Sequence, residues 1–338
     1  MRVRAQNCFA IQQEKRYNET VFNFYEAENI MLAWLLAQQI AILFIIIACG
    51  FLLVRLGFLK TEDSKTFSIT SIYLINPCVI IGAFQIDYSD DVRNGFLLAF
   101  AAAWGIHLLY FVVCWLLYHF FEIDVVERAS IIYSNAGNLI IPLVIAVLGE
   151  DQVIYASAYI CVQNILLWTH CQSLMEGKLG ANWHKILYNV NLLSILVGMV
   201  LFFSGVKLPF MLASAVKAVA SLIGPISMII LGMLLASISW KIVFREKRIY
   251  LITAFRMLLC PVLVVLFLKY SGLAALVPHG ANILLVSLLA AAAPSASLVT
   301  QMAQLYGRNA QYASAINVAT TLCCIVTMPL MVMLYMYN

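Results

Sequence analysis

The run SNAGNLIIP at residues 134–142 concentrates two carboxamides, a glycine and a proline inside an apolar stretch. Pro142 removes a backbone donor, and Gly137 loosens a helix. In hydrocarbon, the carbonyls that such a break frees must find partners. Asn135 and Asn138 offer donors and acceptors, either to those carbonyls or to a ligand. The run therefore predicts a kinked structural helix or a ligand site at a helix break, and the cost of burying two Asn residues favours the site.

A second run, AAAAPSAS at residues 290–297, consists of small residues around Pro294. Small side chains let another backbone approach closely. A break at Pro294, next to Ser295 and Ser297, would open the N-terminus of a half-helix to an anion. Alone, such a run indicates tight packing. Its place opposite the first run, in the other half of the chain, favours the anion site.

Other polar residues inside apolar stretches are weaker candidates. Gln163 and Asn164 lie in the middle of one stretch, and Asn317, Thr320 and Thr321 lie at a similar depth in another. They would face the two runs or form hydrogen bonds between helices.

Two ionisable residues lie well inside apolar stretches. Arg256, followed by Pro261, is either a side chain that reaches toward the membrane surface or a counter-ion for an anionic substrate. His107 is either a structural histidine or a proton relay. No Asp or Glu is found at mid-membrane depth, so the sequence offers no obvious proton carrier.

Signatures of enzymes and metal sites are absent from the sequence. It contains no H-E-x-x-H, G-x-S-x-G or P-loop pattern. The 9 cysteines form no C-x-x-C pair, and we interpret them as small packing residues. We therefore predict neither an enzyme nor a cofactor or metal site.

The elements that position these residues follow from composition. The chain has 338 residues, of which 64% are hydrophobic and 11% are charged, against about 25% charged residues in soluble domains. So much apolar surface is accommodated only if the lipid bilayer is the solvent. The net charge of +4 then bears on membrane orientation rather than on nucleic-acid binding.

Windows of about 20 apolar residues predict an all-α integral membrane protein with ten transmembrane helices. The predicted spans are residues 32–56, 65–86, 95–120, 128–148, 151–173, 188–205, 211–238, 247–270, 280–305 and 311–336.

Basic residues are concentrated in the connectors that follow the odd-numbered spans. The positive-inside rule then places both termini outside the cytoplasm of a multi-pass plasma-membrane protein. Residues 1–30 have no cleavable signal peptide. We expect them to be a disordered extension or a product of the assigned start site.

An internal repeat divides the spans into two halves. The sequence YASA at residues 155–158 recurs at residues 312–315, at the heads of spans 5 and 10. Five spans per half make the repeat inverted. We predict a first repeat at residues 31–173, a connector at 174–187 and a second repeat at 188–338. The prolines that would act as hinges or mark the helix breaks lie at matching places, Pro77 with Pro225 and Pro142 with Pro294.

A set of motifs spread along the chain fits one family of membrane proteins. They are GFLLVRLGFL at 50–59, Pro77, Asn135-Ala136-Gly137 with Pro142, Asn164, Arg256 with Pro261, Ala293-Pro294-Ser295-Ala296, and Thr320-Thr321 with Pro329. With these motifs, the chain from about Met31 onward resembles the auxin efflux carrier family of membrane transport proteins, in its prokaryotic branch. Asn138 and Ile140 stand where aromatic and Gly residues are common in relatives, and the chain lacks the large central loop of the long plant members.

The resemblance implies that broken helices 4 and 9 cross, and that one bundle moves like an elevator against a scaffold, often within a homodimer. It also implies a small organic anion, a carboxylate or dicarboxylate, as the substrate of a secondary transporter. The alternative is a membrane sensor that binds an organic acid without moving it. The residues expected to bind the substrate are Asn135, Ala136, Gly137, Asn138, Asn164, Pro294, Ser295, Ser297 and Asn317.

Overall fold

The computed structural model describes residues 34, 38–39, 41–87, 89–177, 190–236 and 246–337. The predicted extension at 1–30 and most of the predicted connector at 174–187 lie outside these residues. The described helices, numbered in chain order, are α1 Ala41–Arg55, α2 Thr61–Ala83, α3 Asp90–Phe121, α4 125–148, α5 153–176, α6 Val190–Ser204, α7 Phe210–Ala236, α8 Lys247–Tyr270, α9 280–305 and α10 Ala310–Met336.

Each of these helices coincides with a predicted span, to within a few residues where both ends are described. Helices α2, α3, α7, α8 and α10 are long and apolar enough to cross a membrane. Helices α1 and α6 and the first part of α9 are shorter apolar helices. The prediction of an all-helical membrane protein is confirmed for the described part of the chain.

Two of the described helices are interrupted by extended residues. Helix α4 consists of α4a, Val125–Ile132, and α4b, residues 136–148. Helix α9 consists of α9a, Gly280–Ala292, and α9b, Ser297–Leu305. The residues between the halves are extended rather than helical, so each half-helix has an end inside the protein.

Several helices contain a π turn, in which the amide bonds to the fifth residue back instead of the fourth. Three such turns, Ser71–Ile75, Ala136–Ile140 and Phe255–Leu259, each end two residues before a proline. These prolines, Pro77, Pro142 and Pro261, therefore stand in the first turn of the α-helix that follows. A first-turn proline is tolerated because its missing amide would have had no helical partner.

The position of these prolines corrects one prediction. The break in α4 lies at Tyr133–Asn135, and Pro142 stands inside the continuous stretch α4b. Pro77 and Pro225 likewise lie within helical turns of α2 and α7. Of these four prolines, only Pro294 lies in a break, so a proline marks the break in α9 but not the break in α4. The role of the prolines as hinges stays a prediction.

The helices pack as two groups. Helices α1, α2, α6 and α7 pack against one another, and we call them the flanking group. Its backbones approach closely, since a Cβ atom on Gly232 of α7 would overlap the carbonyl oxygen of Ile47 on α1.

Helices α3, α4, α5, α8, α9 and α10 form the second group, which we call the crossing group. Gly95 of α3 leaves room for Tyr155 of α5 and Ile283 of α9a. Most of the fully buried apolar residues belong to this group, and every residue of α9a from Ile283 to Ala292 is buried. The crossing group therefore supplies a tightly packed frame for the two interrupted helices.

Candidate functional site

The breaks in α4 and α9 lie side by side. Ser134 and Ser295 form an isolated antiparallel bridge. The amide of Asn135 donates to the carbonyl of Pro294 at 2.8 Å, and the amide of Ala296 donates to the carbonyl of Tyr133 at 3.0 Å. These two bonds satisfy backbone groups that no helix would otherwise satisfy, which matters most away from water. We call this pair of extended segments the crossover.

One side chain of α5 completes the α4 side of the crossover. The Gln163 carboxamide oxygen accepts from the Ser134 amide at 3.0 Å and from the Ser134 hydroxyl at 2.7 Å. Its Nε2 donates to the Ser134 carbonyl at 2.9 Å. Every polar group of the buried Ser134 thereby has a partner.

Two side chains of α10 do the same for the α9 side. Thr320 Oγ1 accepts from the Ser295 amide at 3.1 Å, and Asn317 Nδ2 donates to the Ser295 carbonyl. Gln163 and Thr320 each lie eight residues after the tyrosine that opens the repeated YASA sequence. The repeat in the sequence could therefore have indicated that these two residues share a role.

The half-helices that leave the crossover both begin without a side-chain cap. In the described structure, neither Asn135 at the start of α4b nor Ala296 at the start of α9b makes a capping side-chain hydrogen bond. The first amides of a helix have no carbonyl partner within the helix and carry its positive dipole end. Asn135 and Gly137 of α4b line the same cavity as Ser297 of α9b.

This cavity, which we call the crossover cavity, has a volume of about 160 Å³ and lies between the two helix groups. No charged side chain lines it among the described residues. Its walls are Ser68, Ser71, Ile72 and Asn76 of α2; Ser134, Asn135 and Gly137 of α4; Ile160, Gln163, Asn164, Leu167 and Trp168 of α5; Asn191 of α6; Ser227, Met228, Ile230, Leu231 and Leu234 of α7; and Ala296, Ser297, Leu298 and Gln301 of α9.

The predicted site residues divide into two sets. Asn135, Gly137, Asn164 and Ser297 line the crossover cavity. The side chain of Asn138 lies outside the described part of the structure. The other predicted residues are buried in or against the crossover and do not line the cavity; these are Ala136, Pro294, Ser295 and Asn317.

Several cavity residues carry buried polar atoms that have no hydrogen-bond partner in the described structure. Leaving such an atom unpaired costs about 1–3 kcal/mol, so these atoms indicate a place where a ligand or water binds. The atoms are Ser71 Oγ, Asn76 Oδ1, Asn164 Nδ2, Asn191 Oδ1 and Ser227 Oγ.

Of these five residues, the sequence identified only Asn164. Ser71, Asn76, Asn191 and Ser227 are small polar residues in largely apolar helices, and they acquire significance only when the flanking group packs against the crossover. Asn76 directly precedes Pro77, which was the one local signal available.

The placement of Arg256 differs from both of the roles that its sequence position suggested. Its side chain is 0% exposed, so it does not reach toward the membrane surface. Its guanidinium donates to three backbone carbonyls, and it does not line the crossover cavity. It therefore makes no direct contact with that space as a counter-ion would.

His107 also lies away from the cavity. It is fully buried, its Nδ1 lies 2.7 Å from the Ala103 carbonyl, and its ring packs 5.0 Å from that of Tyr159. This placement agrees with a structural histidine, and the role of a proton relay stays a prediction.

A second and larger cavity, of about 540 Å³, lies on the other side of α4b. Pro142 and Ile145 of α4b line it, together with Gly82 of α2 and Pro225 of α7. Buried residues Leu139–Ile141 separate it from the crossover cavity along α4b. Glu150 and Lys217 border it and form an exposed ion pair at 3.1 Å between the two helix groups.

The apolar helices and the crossover define a multi-pass membrane protein. A family model described as membrane transport protein matches residues 35–182 and again residues 178–332. The chain therefore belongs to this family, that of the auxin efflux carriers, and is a membrane transporter. The family resemblance predicted from the sequence is confirmed. No curated protein matches the chain.

Proposed function

We propose that this transporter carries a small organic anion, whose carboxylate binds in the crossover cavity. The observation that supports this proposal is that two half-helix N-termini without side-chain caps border one cavity that has no charged wall among the described residues.

The charge of the substrate follows from the helix dipoles. Each helix N-terminus carries about +0.5 elementary charge, so α4b and α9b together present about one positive charge. Such dipoles stabilise an anion by about 0.3–1 kcal/mol each when exposed and by up to about 2 kcal/mol when partly buried. The unpaired Nδ2 of Asn164 adds a donor on the same wall. One carboxylate group matches this set of partners.

The volume of the cavity limits the size of the substrate. A cavity of about 160 Å³ is smaller than the roughly 300–1,000 Å³ of pockets that hold drug-sized ligands. The aliphatic part of its wall, including Ile72, Leu231 and Leu298, suits a short carbon chain. Short carboxylic acids are therefore the proposed substrate class.

Movement between the two sides of the membrane would use the two helix groups. The crossover belongs to the crossing group, whereas one wall of the crossover cavity belongs to the flanking group. The second cavity shares α2, α4b and α7 with the first. In an elevator-type cycle, the crossing group would slide along the flanking group and expose the bound anion to each side of the membrane in turn.

The remaining features of the proposal come from symmetry and charge. The crossover backbone is held by Gln163 of α5 on one side and by Asn317 and Thr320 of α10 on the other. This likeness supports two inverted repeats of five helices. Basic connectors support a plasma-membrane protein with both termini outside the cytoplasm, and the family resemblance supports a homodimer.

A binding series followed by a flux assay tests the proposal. Acetate, L-lactate, malonate and L-malate would each be added to the purified protein, and a bound acid should raise its melting temperature by mass action. The acid with the largest effect would then be used, radiolabelled, for uptake into proteoliposomes. Asn135→Ala should abolish uptake, whereas Asn282→Ala, at an exposed position on α9a, serves as the matched control.

The outcomes separate the alternatives. Undiminished uptake by Asn135→Ala would contradict the site. Binding without any flux through the wild-type protein would favour a sensor over a carrier.

A further inference from the structure

Arg256 joins the two interrupted helices at the ends that face away from the crossover cavity. Its Nη1 donates to the carbonyl of Ile131 at 2.8 Å, in the last turn of α4a. Its Nη2 donates to the carbonyls of Ala291 at 2.8 Å and Ala293 at 2.7 Å, at the end of α9a, and Nε also lies 3.1 Å from the latter. One guanidinium therefore binds the C-terminal ends of both half-helices.

The carbonyls at a helix C-terminus have no partner within the helix. In water they would be solvated, but here they are buried beside the crossover. Arginine presents five donors in a fixed planar fork, which fits two chain ends at once better than the compact ammonium of lysine. Tyr110 supports the arrangement, since its hydroxyl also donates to Ala291 at 3.0 Å and its ring lies 5.4 Å from the guanidinium.

The charge of Arg256 is balanced without a carboxylate. None of the described Asp or Glu residues lies within 4.0 Å of it. Each helix C-terminus carries about −0.5 elementary charge, so the ends of α4a and α9a together offset about one positive charge. The same residues that give the guanidinium its hydrogen bonds also make its burial tolerable.

We propose that Arg256 is the positioning residue of the crossover. By holding Ile131 and Ala293 at fixed places, it sets the register in which Ser134 faces Ser295. That register is what brings the N-termini of α4b and α9b to one cavity. The guanidinium thus acts on the substrate through the backbone, at the opposite ends of the breaks from those that would bind the anion. Only the consequence for transport rests on the proposed function.

Disulfide trapping measures this register without any substrate. Ser134 and Ser295 form a pair flanked, not joined, by backbone hydrogen bonds, and such pairs bring Cα atoms to about 4.5 Å, within the range of a disulfide. In the full chain with its native cysteines replaced by alanine, Ser134→Cys with Ser295→Cys should cross-link readily. Ser134→Cys with Ser297→Cys, two residues out of register, should cross-link poorly.

Arg256→Met removes the charge and the planar fork but keeps most of the side-chain volume. Added to the cysteine variants, it should reduce the cross-link between positions 134 and 295 by about tenfold, the effect of losing one hydrogen bond to a charged group. It should increase the cross-link between positions 134 and 297. Arg256→Lys should give an intermediate yield because it keeps the charge alone. The control is Arg248→Gln, on the same helix, which removes an ion pair with Glu127 at the other end of α4a. It should lower the melting temperature while leaving the cross-link at its wild-type yield.

Wild-type cross-linking in a monodisperse Arg256→Met protein would overturn the proposal. If that variant does not fold, Arg256→Lys decides, because a wild-type yield there would mean that the fork sets no register. Uptake of the acid chosen above should show a raised KM in Arg256→Lys protein that remains folded and monodisperse. A normal cross-link pattern with no uptake by any protein would instead count against the proposed function.

Discussion

The two sides of the crossover hold the same backbone arrangement with different chemistry. On the α4 side, Gln163 alone satisfies Ser134, and the next residue, Asn164, lines the cavity with an unpaired Nδ2. On the α9 side, two side chains satisfy the Ser295 backbone: Thr320 accepts from its amide, and Asn317 donates to its carbonyl. The residue after Thr320 is Thr321, whose hydroxyl donates to the backbone of its own helix at 2.7 Å.

This difference distinguishes the side chains that stabilise the crossover backbone from the one that is available to bind a ligand. Both sides need side chains that satisfy the extended backbone, because lipid and protein interior supply no water. Only the α4–α5 side keeps an additional amide available. The crossover is therefore similar in backbone and dissimilar in chemistry, and the predictions below test that distinction.

Gln163→Leu is expected to have the largest effect. It leaves the amide, carbonyl and hydroxyl of Ser134 unpaired in a position that is 1% exposed. At about 1–3 kcal/mol for each buried unpaired group, the free energy of unfolding should fall by roughly 3 kcal/mol or more. Thermal unfolding of the purified protein measures it, and an unchanged melting temperature would contradict the assigned role.

Thr320→Val should destabilise the protein less. It removes only the acceptor for the Ser295 amide, while Asn317 still donates to the Ser295 carbonyl. We expect a loss of about 1–2 kcal/mol in the same thermal assay. A loss equal to that of Gln163→Leu would contradict the assignment of one supporting side chain to Ser134 and two to Ser295.

Asn164→Leu should weaken binding rather than stability. Loss of its carboxamide is expected to raise the Kd of the bound acid about tenfold, or about 1.4 kcal/mol. The melting temperature should not fall, because the substitution removes a buried donor that has no partner in the described structure. Thr321→Val, at the equivalent place on α10, is the control and should leave the Kd unchanged; equal effects of the two would refute the asymmetry.

Ser227→Ala should have the smallest effect. Its hydroxyl is on the flanking side of the cavity and lies opposite the half-helix N-termini that would hold the carboxylate. We expect a change in Kd of about twofold or less, within about 0.5 kcal/mol. Isothermal titration with the same acid measures it, and a tenfold loss would place the carboxylate on the flanking group instead.

Much of the fold could be predicted from the sequence because hydrophobic length is a local property. The predicted span 247–270 has the bounds of α8, and both interrupted helices were identified. The place of the break in α4 was wrong, because Pro142 fits the first turn of a helix. The break depends on pairing between residues 134 and 295, which no local signal reveals.

The candidate site could be predicted only in part from the sequence. Asn135, Gly137 and Asn164 stand out as polar or flexible residues in apolar surroundings, and they line the cavity. The carbonyls that bind Arg256 belong to two other helices, so the sequence revealed an unusual charge without its partners. Packing between distant segments decides such contacts, and a single sequence does not record it.

The π turn in α2 has a consequence for how that helix faces the cavity. The amide of Asn76 donates to the carbonyl of Ser71, five residues earlier. In an ordinary α-helix these two side chains would point about 140° apart, but here both line the cavity. Deleting one residue from 72–75 would rotate the preceding part of α2 by about 100° and turn Ser68 and Ser71 away from the cavity. The one additional residue in this π turn thus decides which side chains of α2 face the cavity, and neither composition nor hydrophobic length reveals it.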